Sequence, residues 1–373
     1  MFPLSINMKG KKLSMEKIGK KTRELYRTKI KEEFPKTLNF GNQRFKKKLS
    51  MRYGENPGYP AAFYEEEGAS GPNMATMKVL KEGIKGLSYI NVADMDLGQR
   101  LVKKLTGVFQ NRFICALIKH EIPSGVALGE SPKEVFEKAW NCDSLSNFGS
   151  VDVFNYRIDK PLAELLVESR RNVEVVYAPD FTPEALEILA LRKSLRVIKM
   201  GASLDEPALD SGLEFKRVSG GLLIQKRFDS RITSPESVDI VSERKPSSDE
   251  IEAAIFNWIV ACFTRSNAVV IGKKDKVHGI GSGQRSRIDA AENAIRYSKR
   301  GYGPRECVMA SDAFMPFPDV VEVAAKNGIT AIIYPLGSIR DQEVIDKANE
   351  CNISMIVTKK PEEPNSERCF LHR

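Results

Sequence analysis

Phe113-Ile114-Cys115-Ala116-Leu117-Ile118-Lys119-His120 is the stretch that decides the fold class of this chain. Six apolar residues in a row read as a short strand covered on both faces. A strand of that kind needs helices packed above and below it, which is an α/β arrangement. The run stops at two polar side chains, so Lys119 and His120 emerge at a strand end. Strand ends are where open α/β sheets place their ligand crevices. Pro123-Ser124-Gly125 then predicts a turn.

Outward from this strand the same alternation continues in both directions. Leu87–Val92 leads into a helix around Asp96–Leu105, and another helix covers Pro132–Ala139. Val173–Tyr177 reads as a strand. Thr182 and Pro183 cap and open a helix to Leu191, and Leu195–Lys199 reads as a strand. Residues 216–245 are polar and irregular apart from Gly221–Ile224, and they mark a boundary between halves. Beyond them, Ser247-Ser248-Asp249-Glu250 has the spacing of a capping box and starts an apolar helix to Phe263. Strand Ala268–Ile271, helix Ile288–Ser298 and strand Val308–Ala310 follow. Helix Val320–Asn327, strand Thr330–Tyr334, helix Asp341–Cys351 and strand Ser354–Thr358 complete the second half. The halves show no sequence repeat, yet each is an α/β layer unit that could be a copy of the other.

The 373 residues are enough for two or three cores, and 42% hydrophobic with 29% charged residues is a globular composition. No apolar run reaches the ~18 residues of a membrane span, and no secretory leader pattern is present. The six cysteines have no paired spacing, which fits a reducing cytoplasm. A net charge of +9 invites a nucleic-acid reading, but its distribution argues otherwise. Residues 1–48 hold 15 of the 58 Lys and Arg and 4 of the 49 Asp and Glu, which leaves 43 basic against 45 acidic residues in the rest. A body that binds nucleic acid would carry its own basic face. The leader itself reads as a short irregular start and a helix over 16–34, with Ile18, Leu25, Tyr26 and Ile30 on one side, ended by Pro35.

Several segments carry candidate chemistry, each with a purely structural alternative. His120 suits a general base near neutral pH, and the adjacent Lys119 ammonium suits developing negative charge; both residues could equally just cap a strand. Gly279-Ile280-Gly281-Ser282-Gly283-Gln284-Arg285-Ser286-Arg287 could cradle an anion at a helix start or simply supply tight turns. Asn267 could donate to a carbonyl becoming an oxyanion or cap a turn. Ser311–Asp319 joins apolar rings to a carboxylate that could meet the amidine edge of a pterin, while Asp319 also suits a helix start. Gly337-Ser338-Ile339-Arg340-Asp341 is a second Gly-Ser turn onto a helix. Arg368 and His372 sit in a tail that could dock or fray. The H-x-E and P-C-x-x-C spacings of a zinc deaminase are absent, so no catalytic metal is expected.

Taken in order from about Leu49 to Arg373, these segments resemble the transformylase domain of the AICAR transformylase/IMP cyclohydrolase family. AICAR is 5-aminoimidazole-4-carboxamide ribonucleotide. The resemblance is carried by Arg52-Tyr53-Gly54-Glu55-Asn56-Pro57, Leu87-Ser88-Tyr89, Lys119-His120, Ser146-Asn147-Phe148-Gly149, Ala178-Pro179 and Val218–Leu223. Ser266-Asn267, Gly279–Arg287, Ser311–Asp319 and Gly337–Asp341 add to it.

The resemblance implies two tandem cytidine-deaminase-like α/β/α layer domains, at 49–230 and 231–373 behind a 1–48 linker remnant. It also implies a homodimer and transfer of a formyl group from 10-formyltetrahydrofolate to AICAR. By motif position His120 is the base, Lys119 stabilises the transition state, Asn267 holds the formyl oxygen and His372 lies near the reacting groups. Arg52, Tyr53, Gly149, Glu174, Arg287, Phe314 and Arg368 match nucleotide-contacting positions; Ile288, Asp319, Ser338 and Ile339 match folate-contacting ones. Glu121, Pro123-Ser124-Gly125 and a final Arg373 depart from the family pattern. The upstream cyclohydrolase domain is not in this sequence, so a separate protein is expected to close the product to IMP. A binding relative without turnover, and a nucleic-acid-associated protein acting through residues 1–48, are the rival readings.

Overall fold

The computed structural model describes residues 15–84, 86–208, 212–227 and 232–358. It opens with helix α1 (Met15–Leu25) and a three-stranded antiparallel sheet of β1 (Thr37–Phe40), β2 (Gln43–Ser50) and β3 (Ala62–Glu66). The expected helix over 16–34 therefore ends early. Tyr26 instead packs edge-on against Tyr53, ring centroids 6.1 Å apart, and the Ile30 N–H donates to the Arg52 carbonyl at 2.9 Å. Tertiary partners for these residues replace the helical face. The expected boundary at 48 falls inside β2.

The first α/β unit runs β4 (Lys78–Lys81), α2 (Tyr89–Val108), β5 (Phe113–Lys119), β6 (Ile122–Gly129), α3 (Pro132–Cys142), β7 (Ser150–Phe154), α4 (Lys160–Leu166), β8 (Val173–Ala178), α5 (Pro183–Leu191) and β9 (Arg196–Lys199). A hairpin, β10 (Leu213–Val218) and β11 (Gly221–Lys226), follows where an irregular stretch is expected. The second unit runs β12 (Val238–Ile240), α6 (Ser248–Cys262), β13 (Val269–Lys273), β14 (Lys276–Gly281), α7 (Arg287–Ser298), β15 (Val308–Ser311), α8 (Asp319–Lys326), β16 (Ala331–Tyr334), α9 (Asp341–Glu350) and β17 (Ser354–Thr358). The expected boundary at 230/231 lies outside the described residues.

Both units have one topology. Strand order is β4-β9-β8-β7-β5-β6 in the first and β12-β17-β16-β15-β13-β14 in the second, with parallel and antiparallel pairings matching step for step. They join edge to edge, β6 against β14 in antiparallel sense, into one sheet of twelve described strands.

Alternation along β5 shows how the sheet is covered. Ile114, Ala116 and Ile118 face a core shared by both units beneath α2 and α6, while Cys115 and Leu117 face a core confined to the first unit under α3, α4 and α5. The second unit has its own core under α7, α8 and α9. Ala253–Cys262 of α6 is buried all round because α2 lies beside it, with Phe109 and Phe256 in edge contact. Its Ser247–Glu250 capping box is present, as is the Thr182 cap on α5. Helix α2 starts at Tyr89, earlier than expected, because Ser88 and Asn91 form a capping box there. No helix among the described residues is long and apolar enough to cross a membrane.

The glycine-rich segment is a correction. Gly279, Ile280 and Gly281 finish β14, and only the following residues turn towards α7. A Cβ at Gly279 or Gly281 would run into the Ala294 or Ala290 carbonyl oxygen of α7, so these glycines bring a helix close to a strand. Gly125 stands in the same relation to Ala139 in the first unit. Gly281→Ala should lower the unfolding free energy by about 1–3 kcal/mol through overpacking. The uncrowded Gly221→Ala should stay within about 0.5 kcal/mol of wild type; urea titration of both checks this.

Candidate active site

The antiparallel junction fixes which strand ends lie together. The C-terminal ends of β5, β14, β15 and β16 and the N-terminal ends of β6, β7, β8 and β13 all reach the same end of the sheet. Lys119, His120, Gly149 and Glu174 from the first unit lie there. So do Asn267, Arg287, Ile288, Phe314, Asp319, Ser338 and Ile339 from the second. Arg52 and Tyr53 join them because Arg52 N donates to Leu87 O at 2.8 Å and Tyr89 N to Tyr53 O at 3.0 Å, beside the start of α2. Arg368 and His372 lie outside the described residues.

Between the units the sheet opens. Strands β6 and β14 pair at Lys276 and Ala127, where the Leu128 N–H also donates to the Asp275 carbonyl at 2.8 Å. Towards the end that carries His120, a cavity of about 240 Å³ lies between them. Lys119, His120 and Ser124 line one side; His278, Ser282 and Gln284 line the other. The cavity joins the segment expected to supply the base to the Gly279–Arg287 segment, and Asn267 lies behind Gln284 in that second wall. The Asn267 side-chain amide donates to the Gln284 carbonyl at 2.9 Å, and the Ser266–Asn267 peptide is cis.

His120 is presented differently from expectation. Pro123-Ser124-Gly125 lies within β6, and the turn is His120-Glu121, closed by the Lys119–Ile122 pair. Both turn residues have positive φ, +53° and +58°. Two-residue hairpins of this kind favour Asn-Gly, and each non-glycine residue there costs of order 1 kcal/mol or more. The buried Asp94 carboxylate of α2 accepts the Glu121 N–H at 2.6 Å and also bonds the His120 N–H.

Lys119 is held by backbone carbonyls, donating to Phe148 O at 2.6 Å and Ser146 O at 3.1 Å. That loop is anchored by Asn147, which is fully buried, donates to Trp140 O at 2.8 Å and accepts from Ser124. Gly149 follows at φ +90°, and a Cβ placed there would lie 4.0 Å from the Lys119 Nζ.

A second cluster lies beside the first unit's end of the row. The Arg52 guanidinium stacks on Tyr53 and donates to its hydroxyl at 2.9 Å. Buried Arg196 faces Glu174 at 3.7 Å, and Glu174 also accepts from Asn91 at 3.1 Å. Two buried guanidiniums against one carboxylate leave an excess positive charge suited to a phosphate. Arg196 escaped the sequence reading because it looks like a polar residue starting a strand. Arg287, by contrast, is ion-paired with the fully buried Asp312, and burial lowers its pKa to about 10. Its charge is already matched inside the protein. On the second unit, Ile339 is fully exposed and Arg340 stacks over the exposed Phe317 ring at 5.1 Å, leaving apolar surface beside Asp319 and Ser338.

The family model of the AICARFT/IMPCHase bienzyme matches residues 16–297. The chain belongs to that family. The match takes in the Lys119-His120 turn, Asn267 and Arg287, and stops before Phe314. This AICARFT/IMPCHase family member is 42% identical over 330 residues to the bifunctional purine biosynthesis protein PurH of Clostridium acetobutylicum. The alignment covers 88% of this chain and 61% of that protein. The chain thus spans less than two thirds of the curated relative's length.

The sequence reading also missed His278. Its Nδ1 lies 2.6 Å from the Gly303 carbonyl, which can only accept, so the proton sits on Nδ1. Burial lowers its pKa to about 4, against an ordinary 6.5. A lowered folded pKa contributes stability that is complete above pH 6.5 and lost as pH falls towards 4. Between pH 7 and 4 wild type should therefore lose roughly 3 kcal/mol more than His278→Gln. Denaturant unfolding at the two pH values checks this; equal losses would show that the imidazole is not held neutral.

Proposed function

We propose that this chain transfers the formyl group of 10-formyltetrahydrofolate to the 5-amino group of AICAR, giving FAICAR in purine nucleotide synthesis. The observation that carries the reading is a cavity walled by the Lys119-His120 turn on one side and by Gln284 on the other, with the Asn267 amide bonded to the Gln284 carbonyl. Family membership supports it. With it goes the reading of each repeated unit as a cytidine-deaminase-like layer domain that works without a catalytic metal. Among the described residues no group of three or more His, Cys, Asp or Glu could hold a metal ion.

The reaction needs what these residues offer. The acceptor amine is a weak nucleophile because its lone pair conjugates into the imidazole carboxamide. His120 takes a proton from that nitrogen as it attacks the formyl carbon. The Lys119 ammonium, fixed by two carbonyls, faces the negative charge that develops. Asn267 uses one amide hydrogen on Gln284 and has a second for the formyl oxygen. Collapse of the tetrahedral intermediate breaks the bond to N10 of the folate, which leaves as tetrahydrofolate after taking up a proton. Arg52 and Arg196 would hold the nucleotide phosphate, with Tyr53, Gly149 and Glu174 around the sugar and base. Phe317 and Ile339, with Asp319 and Ser338, would receive the folate.

One chain spreads these walls widely. Glu174 on β8 and Ser338 beyond β16 are seven strand spacings apart, roughly 34 Å at ~4.8 Å each. That is farther than one nucleotide spans. A homodimer in which one chain's first unit faces its partner's second unit would bring them together. The cytoplasm is the location proposed with this reading; none of the five described cysteines is in a disulfide, and four are buried.

Purified protein given AICAR and 10-formyltetrahydrofolate should release tetrahydrofolate only when the nucleotide is present. His120→Ala should lower kcat by about 10²-fold or more with little change in nucleotide KM. An unaltered rate would remove His120 from the mechanism, and AICAR binding without turnover would mark a binding relative.

A further inference from the structure

The His120-Glu121 turn is the least self-sufficient part of the cavity wall. Both residues are in the left-handed region, neither is glycine or asparagine, and both are exposed. Their own residue types give that conformation little support, Glu121 least of all. What they share is one partner: Asp94, one turn and a half into α2 and 3% exposed, receives the N–H groups of both. A buried carboxylate is expensive unless its oxygens are occupied, and these two amides occupy it.

We propose that Asp94 is a positioning residue for His120, its carboxylate clamping the two left-handed peptide units that hold the imidazole against the cavity. The inference rests on the reading of His120 as the base and adds a residue that touches neither substrate. A helix carboxylate is suited to the task because α2 is fixed at its own start by Ser88 and Asn91 and buries Met95, Leu97 and Leu101 in the shared core. The turn is thereby referenced to the rigid centre of the molecule.

The clamp also has a charge that can change. Burial raises the Asp94 pKa to about 7, and the carboxylates of Glu121 on the turn and Glu174 on β8 push it the same way, against the two amide bonds. Glu121 and Glu174 are the charged groups that act on it from the turn and from β8. Above neutrality the carboxylate is ionised and accepts both N–H groups strongly; as pH falls through 7 it becomes a neutral acid and a weaker acceptor.

The test compares wild type, Asp94→Asn and Asp94→Ala in the full chain. Amide hydrogen exchange at His120 and Glu121 should quicken by about tenfold or more in Asp94→Ala, while the β5 interior keeps its protection. At pH 8.5, Asp94→Asn should lower kcat by about tenfold or more with nucleotide KM within about twofold, and the gap should close towards pH 5.5, where wild-type Asp94 is also neutral. Unchanged exchange at the turn overturns the clamp whatever the activity. Unchanged kcat, or a kcat ratio constant across pH, overturns its role in positioning the base. If Asp94→Ala does not fold, the same readings of Asp94→Asn decide the matter. Wild type without formyl transfer would sink the functional reading instead, and the exchange rates would still judge the clamp.

Discussion

The antiparallel meeting of β6 and β14 is the constraint on which the rest of the molecule depends. It joins two units of identical topology into one sheet while reversing one relative to the other. Without the reversal, the hairpin end of β5 would lie beside the hairpin end of β13, Lys273-Lys274-Asp275-Lys276. With it, the Lys119-His120 turn lies beside the opposite end of the second unit, where Asn267, Gln284 and the α7 N-terminus are. The repeat therefore does not duplicate a site; it brings two different ends of one fold into register.

The same junction explains where the cavity is. The strands are tied at Lys276–Ala127, and Asp143 on the first unit is bridged by Arg300 of the second at 2.9 Å. Between these ties the edges part, and the space is walled by side chains from both units. Close packing behind it is made by glycines, at positions 125, 279 and 281, where α3 and α7 press their carbonyls onto β6 and β14. Glycine here gives a helix its seat, and the strands that frame the cavity are stiff as a result.

Burial decides how the charges on this end behave. Arg287 and Asp312 neutralise each other in the interior, and His278 is held neutral, so neither brings net charge to the cavity. Arg196 faces the Glu174 carboxylate while Arg52 lies against the neutral Tyr53 ring, so this cluster keeps an excess of positive charge. Lys119 donates to two backbone carbonyls, which hold its ammonium in place without an opposing charge of their own. Anionic groups are the charges such an end can receive.

Sequence by itself determined the α/β alternation, most of the strands and the Ser247 and Thr182 helix starts, and it named the segments of the candidate site, because each is written in local periodicity, capping residues or motif order. Phe113–Ile118 shows its double burial in six letters. Tertiary structure alone decided the rest. The single sheet and its reversed halves come from edge pairing between residues about 150 positions apart, which no local pattern encodes. The glycines of 279–281 read as a loop because the sequence cannot show a carbonyl pressed against them. Arg196, His278 and Asp94 were silent for the same reason: their meaning lies in partners brought together by the fold, and a buried charge is recognisable only by what surrounds it.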